Sequence, residues 1–320
     1  MSVLPSLIEA IGDTPLVELS RVRDALGVEG RLLAKLDYLL PGYSKKDRAA
    51  RQVIEDARGS GRLQPGQCVV ELTSGNMGTG LAIVCGILGH PFVAVMSRGN
   101  SVERARMMRA LGAEVVLVPQ AEGSQPGQVS GEDLALVETA AQRITLERKA
   151  FRADQFSVPS NPKAHEIGTA PEIWQQSGGS VTAFCDFIGS GGTLAGCARF
   201  LAPKGVRCYG VEPAGAEAVS GGDRSRPDHP IQGGGYMMTD LAHLDNALIE
   251  GFVTVSGDEA REHARLLARH EGVFGGFSAG ANLAAAIKLL RGPEKRGTVA
   301  FVICDSGLKY LSTDLWQDLA

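Results

Sequence analysis

Four short stretches of the 320-residue sequence place reactive or ligand-holding groups at spacings that suit chemistry. The first, Pro41-Gly42-Tyr43-Ser44-Lys45-Lys46-Asp47-Arg48, puts two of the chain's nine lysines in the first turn of a helix, where the dipole opposes a cation. A lysine held there, or stripped of water, has a lowered pKa and can act as a nucleophilic amine. A solvated face is the alternative, and Lys45 is read as a surface residue. The second, Glu71-Leu72-Thr73-Ser74-Gly75-Asn76-Met77-Gly78, joins an apolar strand to an apolar helix. Its small residues would offer free N–H groups to an anion. Taken alone, the stretch reads better as an ordinary helix cap by Ser74 or Asn76.

The third stretch, Gly189-Ser190-Gly191-Gly192-Thr193, follows another apolar strand and has the makings of a phosphate cradle. No lysine follows the glycines, so it is not a P-loop. A dinucleotide fingerprint is approached by Gly189 and Gly191, with Glu212 ending the next strand, but Leu194 stands where the third glycine belongs. The fourth, Phe274-Gly275-Gly276-Phe277-Ser278-Ala279-Gly280-Ala281-Asn282, reads as a turn that lets two helices approach closely.

The elements that must position these groups alternate. Strands are expected at Cys68-Leu72, Phe92-Met96, Glu114-Val118, Thr182-Ile188, Val206-Val211, Phe252-Val255 and Thr298-Cys304. Several are nearly apolar throughout, as strands buried on both faces of a parallel sheet are. In Ser101-Leu111 an apolar stripe of Val102, Ala105, Met108 and Leu111 leaves Arg104, Arg106 and Arg109 facing outward. Ser256-Gly257-Asp258-Glu259 opens a helix that stops at Gly272, and another runs from about Gly280 to Leu290. Strand and helix in alternation predict an α/β architecture with right-handed crossovers. A hinge or exposed crossing is expected between the polar stretch Gln120-Glu132, which includes Pro126, and Phe151.

Composition narrows the classes. Hydrophobic residues at 44% and charged residues at 21% exclude wholesale disorder and coiled coil. A net charge of -4 gives no general attraction to nucleic acid or anionic lipid. The six cysteines form no C-x-x-C pair, which argues for buried thiols in a reducing compartment and against a disulfide framework or zinc site. No metal is expected. Neither a signal peptide in Met1 to Asp13 nor an apolar run of membrane-spanning length is visible, so a cytoplasmic protein is the expectation.

Together, the lysine stretch, Thr73-Ser74-Gly75-Asn76, Gly189-Ser190-Gly191-Gly192-Thr193 and Asp305-Ser306-Gly307 resemble the pyridoxal-phosphate enzymes of the cysteine synthase and cystathionine β-synthase group. These are O-acetylserine sulfhydrylase-like proteins of fold type II. The likeness runs from Ile11-Gly12-Asp13-Thr14-Pro15 to Tyr310-Leu311-Ser312-Thr313. It implies two three-layer domains, each a mostly parallel twisted sheet with helices on both faces, as in the tryptophan synthase β-subunit. Residues 1-150 would form a smaller, mobile domain carrying Lys46 and the Thr73-Asn76 loop, with the segment of about 14-36 packed on the other domain. Residues 151-320 would carry the phosphate loop and Ser306.

Carried over residue by residue, the resemblance makes Lys46 the Schiff-base lysine and gives Asn76 to the cofactor's phenolic oxygen. It gives Gly189, Ser190, Gly191, Gly192 and Thr193 to the phosphate and Ser306 to the pyridine nitrogen. Thr73, Ser74, Gly75, Asn76 and Met77 would bind the substrate carboxylate, assisted by Gln155, with Tyr43 close to the cofactor lysine. The implied reaction is β-replacement on an O-activated L-serine such as O-acetylserine. Lys46 removes the α-proton, the β-substituent leaves to give an aminoacrylate, and sulfide or another small nucleophile adds. A homodimer is implied as well.

Three places depart from the family pattern. Tyr43 stands for a small Gly, Met77 for a Thr, and Gly233-Gly234-Gly235-Tyr236-Met237-Met238 for a Gly-Ile-Gly-Ala-Gly type of segment. An aromatic ring and thioethers near the β-carbon would make a drier pocket, suited to an acceptor other than sulfide. Arg224 and Arg226 would serve a phosphorylated substrate such as O-phosphoserine, or simply face solvent. Alternatives to β-replacement are β-elimination or dehydration of a hydroxy or thio amino acid, a non-catalytic cofactor-binding homologue, and a nicotinamide dehydrogenase.

Overall fold

A computed structural model describes residues 3–125, 127 and 129–317; Pro126, in the expected hinge, lies outside the described residues. The strands in chain order are β1 (Leu16–Glu18), β2 (Arg31–Lys35), β3 (Val69–Leu72), β4 (Phe92–Ser97), β5 (Glu114–Val118), β6 (Phe151–Arg152), β7 (Ala183–Phe187), β8 (Arg207–Pro213), β9 (Gly251–Val255) and β10 (Thr298–Val302). The α-helices are α1 (Ser20–Ala25), α2 (Lys46–Gly59), α3 (Asn76–Leu88), α4 (Val102–Ala110), α5 (Gly131–Glu147), α6 (Ser160–Ala164), α7 (Ala170–Gln176), α8 (Gly192–Leu201), α9 (Gly257–Glu271) and α10 (Phe277–Arg291). All seven expected strands are present. Those that read as nearly apolar throughout, β3, β4, β7 and β10, are buried at every residue, Glu71 and Asp186 included, because helices cover both faces of their sheets.

Two sheets result. The smaller runs β5-β4-β3-β6 and is parallel throughout. Val69, Ala94 and Met96 pack toward α2, α3 and α4, while Val70, Val93 and Val95 pack toward α5. The larger runs β1-β2-β10-β7-β8-β9 and is parallel except for β1 against β2. Its faces bury α1, α9 and α10 on one side and α7 and α8 on the other. At the approach of α9 to α10, a Cβ on Gly280 would collide with the Ala260 carbonyl, so the fourth stretch does bring two helices together.

The structure revises four expectations. Strands β1 and β2 were not read from the sequence, because β2 is bracketed by Arg31 and Lys35; yet Lys35 is fully buried, its ammonium 2.6 Å from Glu172 Oε2 and bonded to the Thr14 carbonyl. Both strands lie in the larger sheet, and β6 extends the smaller one to Arg152. The expected hinge is largely helix α5, opened by a capping box between Ser130 and Asp133 that the polar composition hid. The stripe of α4 is tilted from the expected one: Ala105 and Met108 are buried, Val102 and Leu111 are exposed, and Arg104 is wholly buried. Lys45, read as a surface residue, is buried too.

Candidate active site

Turns at the carboxyl ends of β3, β7 and β10 meet between the two sheets, the place where open α/β sheets hold ligands. A chamber there is lined by Lys45, Lys46, Asn76, Asp186, the Gly189–Thr193 turn, Gln232, Ser278 and Cys304. A second pouch shares Lys46, Asn76, Ser190 and Gly233 with it and adds Thr73, Ser74, Met77, Gln155 and Tyr236. The predicted lysine, asparagine and glycine turn, contributed by residues up to 147 positions apart, thus border one cavity system.

Lys46 opens α2 and donates to Ser190 Oγ at 3.1 Å, with no carboxylate partner. Burial and the neighbouring Lys45 cation lower its pKa to about 8. Lys45 has the opposite fate. Its ammonium donates to both oxygens of Asp186, at 2.7 and 2.6 Å, and that carboxylate outweighs the effect of burial to hold it above the ordinary lysine value.

The glycine turn is held from behind. Asn161 donates to Ser190 Oγ at 2.9 Å, and a Cβ on Gly192 would collide with the Asn161 amide. Thr193 Oγ1 sits 3.3 Å from Nε2 of His165, whose pKa burial and nearby cations push down, leaving a neutral imidazole. The free N–H groups at the start of α8 therefore face the chamber in a cradle too tight for side chains, with a cationic amine across it.

The loop before α3 is built as closely. Thr73 Oγ1 accepts from the N–H groups of Gly75 and Gly78, at 2.9 and 3.0 Å. Gly75 has φ +128, and a Cβ there would meet the Arg104 side chain at 2.6 Å. Arg104 donates to the Ser74 carbonyl at 2.8 Å and lies over the Tyr310 ring. Asn76 is bound at both ends: Oδ1 accepts from Lys309 at 2.8 Å, and Nδ2 donates to Asp305 Oδ2 at 2.8 Å. Gln155 donates to the Leu72 carbonyl at 3.1 Å and borders the pouch. Met77 borders it as well, 1% exposed.

Other predicted residues are placed elsewhere. Ser306 is not among the lining residues; its Oγ accepts from Leu308 N at 3.3 Å, capping the short helix Gly307–Tyr310. Among the described residues, the hydroxyl bordering the chamber from outside the glycine turn is that of Ser278, at the start of α10. Tyr43 keeps the positive φ of +59 suited to a glycine, and its side chain is 46% exposed, outside both cavities. Of the expected thioethers only Met77 reaches the pouch; Met237 and Met238 line a separate cavity beside Glu212 and Pro213. Neither Arg224 nor Arg226 borders the chamber or the pouch.

Sequence reasoning missed Asp186, Ser278, Arg104, Asn161 and Lys309. One signal was available: Asp186 interrupts an otherwise apolar strand, and a carboxylate there needs a buried partner. The others are joined to the site only by the tertiary fold.

The donor set fits a phosphorylated aldehyde such as pyridoxal phosphate: an amine of lowered pKa, an anion cradle and neutral ring partners in one chamber. Among the described residues no cluster of three or more His, Cys, Asp or Glu could hold a metal, and no helix is long and apolar enough to cross a membrane. Comparison with known proteins agrees with this chemistry. The family model "pyridoxal-phosphate dependent enzyme" matches residues 7–305. Cysteine synthase 3 of Caenorhabditis elegans is 38% identical over 97% of this chain and 89% of its own. A cysteine synthase of Staphylococcus aureus is 35% identical over 98% and 97%. Among solved structures, O-ureido-L-serine synthase superposes with a TM-score of 0.88 at 36% identity, over 100% of this chain and 97% of that one. The O-acetylserine dependent cystathionine beta-synthase from Helicobacter pylori gives 0.89 at 31% identity, over 99% and 100%. With its lysine, glycine cradle and fold all inside that match, the chain belongs to the pyridoxal-phosphate dependent enzymes, in the company of the cysteine synthases.

Proposed function

We propose that this enzyme performs β-replacement on an O-activated L-serine such as O-acetylserine, adding sulfide or another small nucleophile. The observation that carries the reading is the sharing of Lys46 and Asn76 between two adjoining cavities, one bordered by the Gly189–Thr193 turn and the other by the Thr73–Met77 loop. In it Lys46 holds the cofactor covalently, the Gly189–Thr193 turn its phosphate, Asn76 its phenolic oxygen and Ser278, in place of Ser306, its ring nitrogen. When bound, pyridoxal phosphate supplies an electron sink for the substrate α-carbon.

The chain's own groups do the rest. The Thr73–Met77 loop, at the positive end of α3, takes the substrate carboxylate, with Gln155 beside it. Lys46, its pKa near 8, is available as a neutral amine to accept the α-proton and return it. The Cys304 thiol beside it, raised by burial to about 12, stays protonated and does not compete as a nucleophile. Ser278, a hydroxyl and not a carboxylate, would face the ring nitrogen and would supply no negative charge to hold a proton there. Met77 narrows the pouch where a hydroxyl would widen its polar lining.

A homodimer in the cytoplasm belongs to the same reading, supported by six free cysteines and by the family resemblance. The test is a panel of O-acetyl-, O-phospho- and O-carbamoyl-serines with the purified protein and the cofactor, with and without sulfide. Substitution product that depends on the added nucleophile is expected. Pyruvate and ammonia formed at one rate whatever nucleophile is present would replace this reading with β-elimination.

A further inference from the structure

Two adjacent lysines enter the chamber from the first turn of α2, and only one of them has a counterion. Lys45 takes both oxygens of Asp186, which projects from the middle of the larger sheet on β7. Both members are more than nine-tenths buried. Asp186 is steadied by Asn282 of α10, whose Nδ2 lies 3.3 Å from Oδ1. Among the described residues, Lys46 has the Ser190 hydroxyl alone. We propose that Lys45 and Asp186 are positioning residues that act through Lys46, a fixed charge pair whose cation keeps a second proton off the neighbouring amine. The inference rests on the reading of Lys46 as the cofactor-holding amine.

The physical argument begins with cost. A buried lysine–aspartate pair is worth little to stability on its own, because desolvation offsets most of the attraction. An apolar pair of similar volume would serve packing as well. What Lys45 provides here is a cation beside Lys46, at a helix N-terminus whose dipole has the same sign; Asp186 pulls the other way on Lys46, but less strongly than Lys45. Asp186 holds Lys45 protonated, so that of two amines in one chamber the unpaired one gives up its proton first. Its lowered pKa agrees in sign.

The other groups facing Lys46 are Glu71 from β3, Cys304 after β10, His165 following α6 and His243. Glu71, its pKa raised by burial to about 7, opposes Lys45 when ionised. The thiol and the two buried imidazoles are neutral near pH 7, burial raising the first and lowering the others. Lys45 is thus the cation that tips the balance.

Two readouts test this in the full-length protein. One is the pH midpoint of the visible band of the covalently held cofactor. The other is the pH midpoint of Lys46 acylation in cofactor-free protein, pulsed with acetic anhydride and read by peptide mass spectrometry. Lys45→Met should move both midpoints upward by about one unit, a tenfold change in the ionisation constant. Lys45→Arg should leave them near the parent values, and Lys45→Met with Asp186→Leu should lie closer to the parent than Lys45→Met alone. Where Lys45→Met does not fold, Lys45→Gln carries the same expectation. Unchanged midpoints in Lys45→Met, or a shift as large in Lys45→Arg, would overturn the proposal. A parent protein with no visible band sinks the proposed function, while the acylation midpoints still decide this inference.

Discussion

Lys309 Nζ donates across 2.8 Å to Oδ1 of Asn76, joining the end of the chain to the loop before α3 over 233 positions. The same ammonium donates to the Gly42 carbonyl, just ahead of the lysine pair. One buried cation therefore ties together the two segments that carry Asn76 and Lys46. With Asp305 on its Nδ2, Asn76 has a fixed amide orientation and one N–H left for a ligand.

Removing that tie should loosen the site before it unfolds the protein. A hydrogen bond from a charged donor contributes about 1.5–3 kcal/mol, so Lys309→Met should weaken cofactor binding by about 10- to 100-fold. Equilibrium dialysis against pyridoxal phosphate measures it. A variant that binds as tightly as the parent would show that Asn76 needs no orienting.

Arg104 should matter more to the substrate loop than its place on a helix suggests. It is fully buried, bonded to the Ser74 carbonyl and 3.5 Å from Asp305. In Arg104→Met, Asp305 loses a buried cation and the Ser74 carbonyl loses its donor. Breaking a buried pair costs about 3–5 kcal/mol. A lowered melting midpoint and a higher KM for the amino-acid substrate are expected, from calorimetry and steady-state rates.

Ser278 and Ser306 give a direct comparison. Ser278→Ala should change the absorbance maximum of the bound cofactor, because the altered hydroxyl borders the chamber. Ser306→Ala removes a short-helix cap worth about 1 kcal/mol and should leave the spectrum alone. The reverse pattern would return the ring nitrogen to Ser306.

Glu71 predicts a pH dependence. Burial raises its folded pKa from the ordinary 4.5 to about 7. Between those values the folded chain holds a proton that the unfolded chain has lost, so this group's contribution to stability falls as pH rises from 4.5 through 7. The shift corresponds to about 3 kcal/mol. Urea midpoints at pH 5 and 8 should differ less in Glu71→Gln than in the parent. An equal difference would show that Glu71 ionises normally.

Much of the site lay in contiguous residues, because a strand-to-helix turn is a local object. Thr73 to Met77 and Gly189 to Thr193 can be read as strand-to-helix turns from their small residues and flanking strands, and they fold as such turns. Lys46 was singled out by the family resemblance of its neighbours Asp47 and Arg48, and the nearly apolar strands β3, β4, β7 and β10 announced their burial. What the sequence could not decide is which hydroxyl, carboxylate or cation returns to those turns from far along the chain. Ser278 rather than Ser306 borders the chamber, Asp186 of β7 comes under Lys45, and Lys309 and Asp305, just after β10 between β2 and β7, grip Asn76. Turn geometry depends on neighbours a few residues away, whereas the company a buried charge keeps depends on strand order, which no local pattern encodes.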